Sequence, residues 1–94
     1  LYEYLVATFP SVSHALRFEK TMASLQKPVK LIPVPRVISS SCGIAARLPR
    51  EMASALAEVA ESGAAELENV YVFGGEGGKT TYIRNLPGPW GEPE

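Results

Sequence analysis

Ninety-four residues, 46% of them apolar, make one domain with room for a single sheet and about two helices, and no cofactor-sized cleft within one subunit. Nine Lys and Arg against ten acidic residues, all of them Glu, give a net charge of −1, which argues against a nucleic-acid surface and removes Asp as a hard-metal ligand. No apolar run approaches the ~20 residues of a membrane span, so no membrane partner is expected.

Tyr2 to Phe9 is rich in aromatic and β-branched residues and reads as a strand. Leu5, Ala7 and Phe9 share one face and Tyr2, Tyr4 and Val6 the other, which predicts a central strand covered on both sides. Pro10-Ser11 ends it, and Ser11 is the expected N-cap of a helix running to about Leu25. Val12, Ala15, Leu16, Phe18, Met22, Ala23 and Leu25 fill one broad apolar arc of that helix. Glu19 falls inside the arc; Arg17, Lys20, Thr21 and Ser24 point away. Lys27-Pro28 closes the helix.

Val29 to Val34 reads as a second strand, which Pro33 and Pro35 confine to an edge. Arg36 to Ser41 is a loop rich in hydroxyls. Gly43 to Leu48 is a short third strand, with Ile44, Ala46 and Leu48 on one face. Pro49-Arg50-Glu51 opens a second helix, whose buried stripe is Met52, Leu56, Val59 and Ala60, and Ser62-Gly63 stops it. Leu67 to Phe73 is a fourth strand, with Val70 and Val72 expected on the same side as Tyr4 and Val6. Gly74 to Gly78 then makes a flexible turn into a fifth strand, Lys79 to Arg84.

The order β-α-β-β-α-β predicts an α+β fold of the ferredoxin-like arrangement, an antiparallel sheet with both helices on one face and an extra C-terminal hairpin strand. Residues 1–84 form the single domain and 85–94, rich in Pro and Gly, a loose tail. Because two helices cover only one face, the other apolar face needs either a second chain or the Trp90 tail, and a homodimer through it is expected.

Chemistry concentrates on Pro33-Val34-Pro35-Arg36-Val37-Ile38-Ser39-Ser40-Ser41-Cys42-Gly43. The prolines stiffen the approach, Ser39, Ser40 and Ser41 supply hydroxyls, and Gly43 lets another group come close to the backbone. Arg36 is a cation that could fold back toward the sulfur of Cys42. Such surroundings favour a thiolate, the nucleophilic form. A small buried hydrophobe at a strand start is the alternative role for this cysteine. A single Cys makes no internal disulfide, so a reducing cytoplasm is the expected compartment. The opening Leu1-Tyr2-Glu3 has neither an initiator Met nor a basic stretch and reads as a fragment without a signal peptide.

Glu19 either has a dedicated partner, for which Arg36 is the candidate, or reaches solvent past Ala15 and Ala23. His14, in the first helical turn, reads as a surface or capping residue. One His and one Cys fall short of the four ligands of closed zinc sites, so no metal is expected. Gly74 to Thr80 approximates a phosphate loop, but only three residues separate Gly74 from Gly78-Lys79-Thr80 where four are needed, and a strand follows.

Phe9-Pro10-Ser11, His14-Ala15-Leu16-Arg17, Glu19-Lys20, Val29 to Arg36 and Ile38-Ser39-Ser40-Ser41-Cys42-Gly43 resemble the small bacterial family described as selenium/sulfur carrier protein-like. The resemblance covers roughly Tyr4 to Tyr71 and is carried mainly by Pro-Arg-x-Ile-Ser-Ser-Ser-Cys-Gly. It implies that Cys42 holds sulfur or selenium as a persulfide or selenosulfide, between a donor and an acceptor protein. The chain lacks the Cys-Pro-x-Pro motif of the better-understood sulfur-transfer proteins.

Three functions follow in order. The first is a cysteine carrier, which needs no cofactor because thiol exchange suffices. The second is a small-ligand-binding or regulatory module with a structural cysteine. The third is a cofactor-free enzyme with Cys42 as nucleophile, for which only His14 or Glu19 could serve as base.

Overall fold

A computed structural model describes residues 2–27, 29–38, 40 and 42–86. The elements are β1 (Tyr2–Thr8), α1 (Val12–Ser24), β2 (Lys30–Pro33), β3 (Ile44–Pro49), a 3-10 turn (Arg50–Met52), α2 (Ala53–Ser62), β4 (Asn69–Glu76) and β5 (Lys79–Asn85). One five-stranded sheet runs β2-β3-β1-β4-β5, and every pairing in it is antiparallel. Each β-α-β unit is split: β3 lies between β1 and β2, and β1 lies between β3 and β4. No helix among the described residues is long and apolar enough to cross a membrane.

The sequence places β1 at the centre because it is apolar on both faces, and Leu5, Val6 and Ala7 are completely buried. Leu5 and Ala7 join a core with Ala15, Phe18 and Met22 of α1 and with Leu56 and Val59 of α2, so both helices lie on that side. Val6 faces the other way, with Ala45 and Phe73.

Ser11 caps α1 as expected, its Oγ accepting from His14 N at 3.3 Å. The helix ends in a Schellman turn: Gln26, at φ 61°, donates to the Ala23 carbonyl and Lys27 donates to that of Met22, both at 2.9 Å. Its buried stripe is narrower than the expected arc. Only Ala15, Phe18 and Met22 are buried, whereas Val12, Leu16 and Leu25 are 44–52% exposed and Glu19 is exposed among them. The helix touches the sheet along one line, with Phe18 against Phe9 at 5.3 Å between ring centroids. α2 starts later than expected, after the 3-10 turn, and stops at Gly63 with φ 81°.

One expectation is corrected by the strand register. Val70 and Val72 belong to the helix-side core, because β4 pairs Ala7 with Val70 and Leu5 with Val72, and directly opposed residues share a face. The open face instead carries Tyr4, Tyr71, Phe73 and Ile83. It is not bare: Val34 and Ile38, from the segment after β2, pack against it, and Val6 and Ala45 are fully buried within one chain.

The segment Gly74 to Gly78 is mostly strand rather than turn. β4 continues to Glu76, and Gly77-Gly78, at φ 63° and 77°, form the two-residue hairpin loop that positive φ permits. Gly74 and Gly75 serve close approach. A Cβ at Gly74 would lie 2.2 Å from Tyr82 Cζ, and one at Gly75 would lie 1.8 Å from the Lys79 carbonyl oxygen, beside a bulge in the β4–β5 register. The Tyr82 ring therefore crosses β4 over Gly74 and its hydroxyl donates to Glu3 Oε2 on β1. Arg50 Nε lies 3.3 Å from Glu3 Oε1, and an Arg84 nitrogen 4.0 Å from Oε2. Beyond β5, Leu86 is buried and donates to the Val70 carbonyl at 2.9 Å. The rest of the expected tail, Trp90 included, lies outside the described residues.

Gly74→Ala should lower stability by about 1–3 kcal/mol through overpacking. Calorimetric melting should show a smaller loss when Tyr82 has first been changed to Ala. The hydrogen bond to Glu3, then burial, raises the pKa of Tyr82 above its ordinary 10.0. The neutral phenol is thus favoured in the fold, and its stabilisation is present below pH 10.0 and lost as pH rises through the raised folded value. The stability difference between the protein and Tyr82→Phe should be flat at neutral pH and shrink in alkali, as read from denaturant unfolding across pH.

Candidate functional site

The segment joining β2 to β3 is closed at its base by Val34 N donating to the Gly43 carbonyl at 3.1 Å. A turn from Pro35 to Ile38, with Ile38 N donating to the Pro35 carbonyl at 3.2 Å, reverses the chain. Ser40 Oγ then donates to the Phe9 carbonyl at 3.3 Å, tying this loop to the junction of β1 and α1, and accepts from Cys42 N at 3.4 Å.

Cys42 is half-buried. One flank packs against the helix-side core, to which Val29, Leu31 and Ile44 also contribute. Its thiol donates to the Ile44 carbonyl at 3.1 Å, and Ile44 N donates to Sγ at 3.4 Å. The β1–β3 ladder stops at Thr8 and Ala45, one residue short of Ile44. The sulfur thus takes both backbone groups of the first residue beyond that pairing. Gly43 makes this return possible: it is exposed at φ 77°, with nothing within 4 Å of where a Cβ would stand.

The structure brings together Cys42, Ser40 and Gly43 of the expected set. Ser39 and Ser41 lie outside the described residues. Arg36 is exposed and borders a hollow on the open face of the sheet with Tyr4 and Phe73, whereas Cys42 packs toward the helix side. Glu19 is exposed on α1. Among the described residues no ion pair joins Glu19 to Arg36, and neither has a hydrogen bond to Cys42. His14 is held elsewhere, with Nδ1 2.6 Å from Ser11 Oγ and Nε2 3.4 Å from Glu66 Oε1. Among the described residues no three His, Cys or Glu side chains converge.

Sequence reasoning missed the Phe9 carbonyl and the Ile44 backbone. Both are main-chain groups, present at every position, so side-chain identity carries no signal for them. Only the register of β1 on β3 shows that Phe9 lies beside the cysteine loop.

Among the described residues, the arrangement offers a half-buried cysteine with the Ser40 hydroxyl on its own backbone N–H and the Ile44 N–H aimed at its sulfur. Among the described residues no carboxylate or imidazole bonds to it, so there is no paired base of the kind nucleophilic enzymes use. Gly43→Ala should cost about 1–2 kcal/mol despite the open space, because left-handed backbone disfavours a Cβ. Chemical unfolding checks the cost, and a value near zero would show that the loop relaxes.

A family model described as "Putative Se/S carrier protein-like" matches residues 4–72, from β1 into β4, so that it includes the cysteine loop and leaves β5 outside. No curated protein and no solved structure matches the chain.

Proposed function

The chain belongs to this Se/S carrier protein-like family, and we propose that Cys42 is the atom on which it carries sulfur or selenium, as a persulfide or selenosulfide. The observation that carries the reading is the half-buried cysteine on a loop, its sulfur bonded, among the described residues, only to the backbone of Ile44 and flanked by the open space at Gly43. A donor persulfide R–S–SH, or its selenium counterpart, supplies the cargo. The Cys42 thiolate attacks the terminal chalcogen, the donor's S–S or S–Se bond breaks, and R–S⁻ leaves with the bonding pair and takes up the proton that Cys42 gave up. A nucleophile on an acceptor then attacks the same terminal atom and releases Cys42 as thiolate. Neither step consumes an external oxidant or reductant, which is why no cofactor enters. Donor and acceptor proteins are its partners, and a reducing cytoplasm suits a lone thiol.

The core contact of Cys42 favours a second reading, a ligand-binding or regulatory module in which the cysteine only packs. The two separate on one pair of measurements. Cys42→Ser keeps an O–H for the Ile44 carbonyl, so as a carrier site it should change stability by less than about 1 kcal/mol and abolish the mass gain seen after exposure to a persulfide donor. A packing site predicts a loss of about 1–3 kcal/mol and no mass gain by the unmodified protein, and that pair of results would remove the carrier reading.

A further inference from the structure

We propose that the hollow on the open sheet face binds a small organic anion with a flat apolar body, in the manner of an aromatic carboxylate. The hollow measures about 490 Å³, within the ~300–1,000 Å³ of small-molecule sites. Its apolar floor is Tyr4, Phe73 and Ile83. Thr81 adds a hydroxyl to one wall, and Arg36 and Val37 form the other.

Three observations point to an anion of this shape. Among the described residues no carboxylate lines the hollow. Arg36 is exposed and enters no ion pair among the described residues, so its guanidinium can take a carboxylate without first breaking one. Val37 is 69% exposed, the most exposed large apolar side chain described, and it stands beside Arg36 on the same rim. An apolar body on the floor would cover Val37 while its charge meets Arg36. The Arg47 guanidinium, 4.0 Å from the centroid of the Tyr4 ring, adds positive potential at the floor. The wall that holds Arg36 is the start of the segment leading into Cys42, so an occupant would clamp the cysteine loop from the opposite face.

The site does not use Cys42, and its test is independent of chalcogen loading: binding should be unchanged in Cys42→Ser. Isotope-labelled protein titrated with naphthoate should show saturable amide shifts at Arg36, Val37, Phe73 and Thr81, and bind neutral naphthylmethanol more weakly. Arg36→Gln should weaken naphthoate by up to about fivefold, the upper end for an exposed ion pair, and erase the preference for the acid. Val37→Asp, which puts a carboxylate on the rim, should abolish naphthoate binding, with melting temperatures confirming that both variants fold. Equal affinity for acid and alcohol, shifts scattered away from these residues, or indifference to Arg36→Gln would overturn the proposal. So would concentration-dependent shifts at the same amides without ligand, or shifts on removing residues 87–94. Those results would assign the hollow to a second copy or to the chain's own tail.

Discussion

The central strand must be satisfied on four sides at once. β1 is paired with β3 along one edge and β4 along the other, and Leu5, Val6 and Ala7 have no exposed surface on either face. Fully burying a Leu or Val contributes about 1.5–3 kcal/mol, so each partner is recruited by a definite need. The helices supply Phe18, Met22, Leu56 and Val59 over one face, and aromatic side chains with the segment after β2 supply the other. The same constraint positions the cysteine. Because β3 lies against β1, the end of β1 at Thr8 pairs with Ala45, one residue inside the start of β3, and Ser40 can reach the Phe9 carbonyl. A cysteine loop elsewhere in the sheet would have no such anchor.

The elements that were legible in the sequence are those written in local chemistry. The Ser11 cap, the Gly63 stop and the placement of β2 at an edge beside Pro33 all follow from what one or two residues do to the backbone. What escaped depends on a partner. The arc of α1 includes Leu16 and Leu25, but a helix lying on a single sheet buries only the line that touches it. Val70 and Val72 alternate correctly with Tyr71 and Phe73, yet their side is fixed by the register on β1, which the alternation alone leaves ambiguous. Gly74 and Gly75 have turn composition, and they stay in the strand because the Tyr82 ring and the Lys79 carbonyl occupy the space of their missing side chains. In the candidate site, Ser40, Cys42 and Gly43 are near neighbours in sequence, and the fold keeps them together. Arg36, a few positions earlier, turned out to face the other side of the sheet.

Net charge shows the same limit. A value of −1 averages over a molecule whose charges are sorted by face. Glu3 is held on the helix side by Tyr82, Arg50 and Arg84, while Tyr4, the next residue, carries Arg47 over its ring on the open side. Two hollows share Tyr4, one bordered by Lys30 and Arg47 and the other by Arg36, and among the described residues neither is lined by a carboxylate. Counting charges along the chain excludes a uniformly basic protein, but it does not describe the potential above one face of a sheet.

The sulfur of Cys42 has a geometry that bears on what a loaded state costs. In the free thiol it both donates to the Ile44 carbonyl and accepts from the Ile44 amide. Forming a persulfide replaces S–H by S–S, so the donor to the carbonyl is lost while the N–H contact to sulfur can remain. A hydrogen bond of ordinary strength is worth about 0.5–1.5 kcal/mol net, and one from a thiol lies toward the low end. At a half-exposed position water can take over the carbonyl. If Cys42 is loaded as proposed, the lost hydrogen bond makes loading slightly unfavourable, and that bond is regained when the cargo leaves.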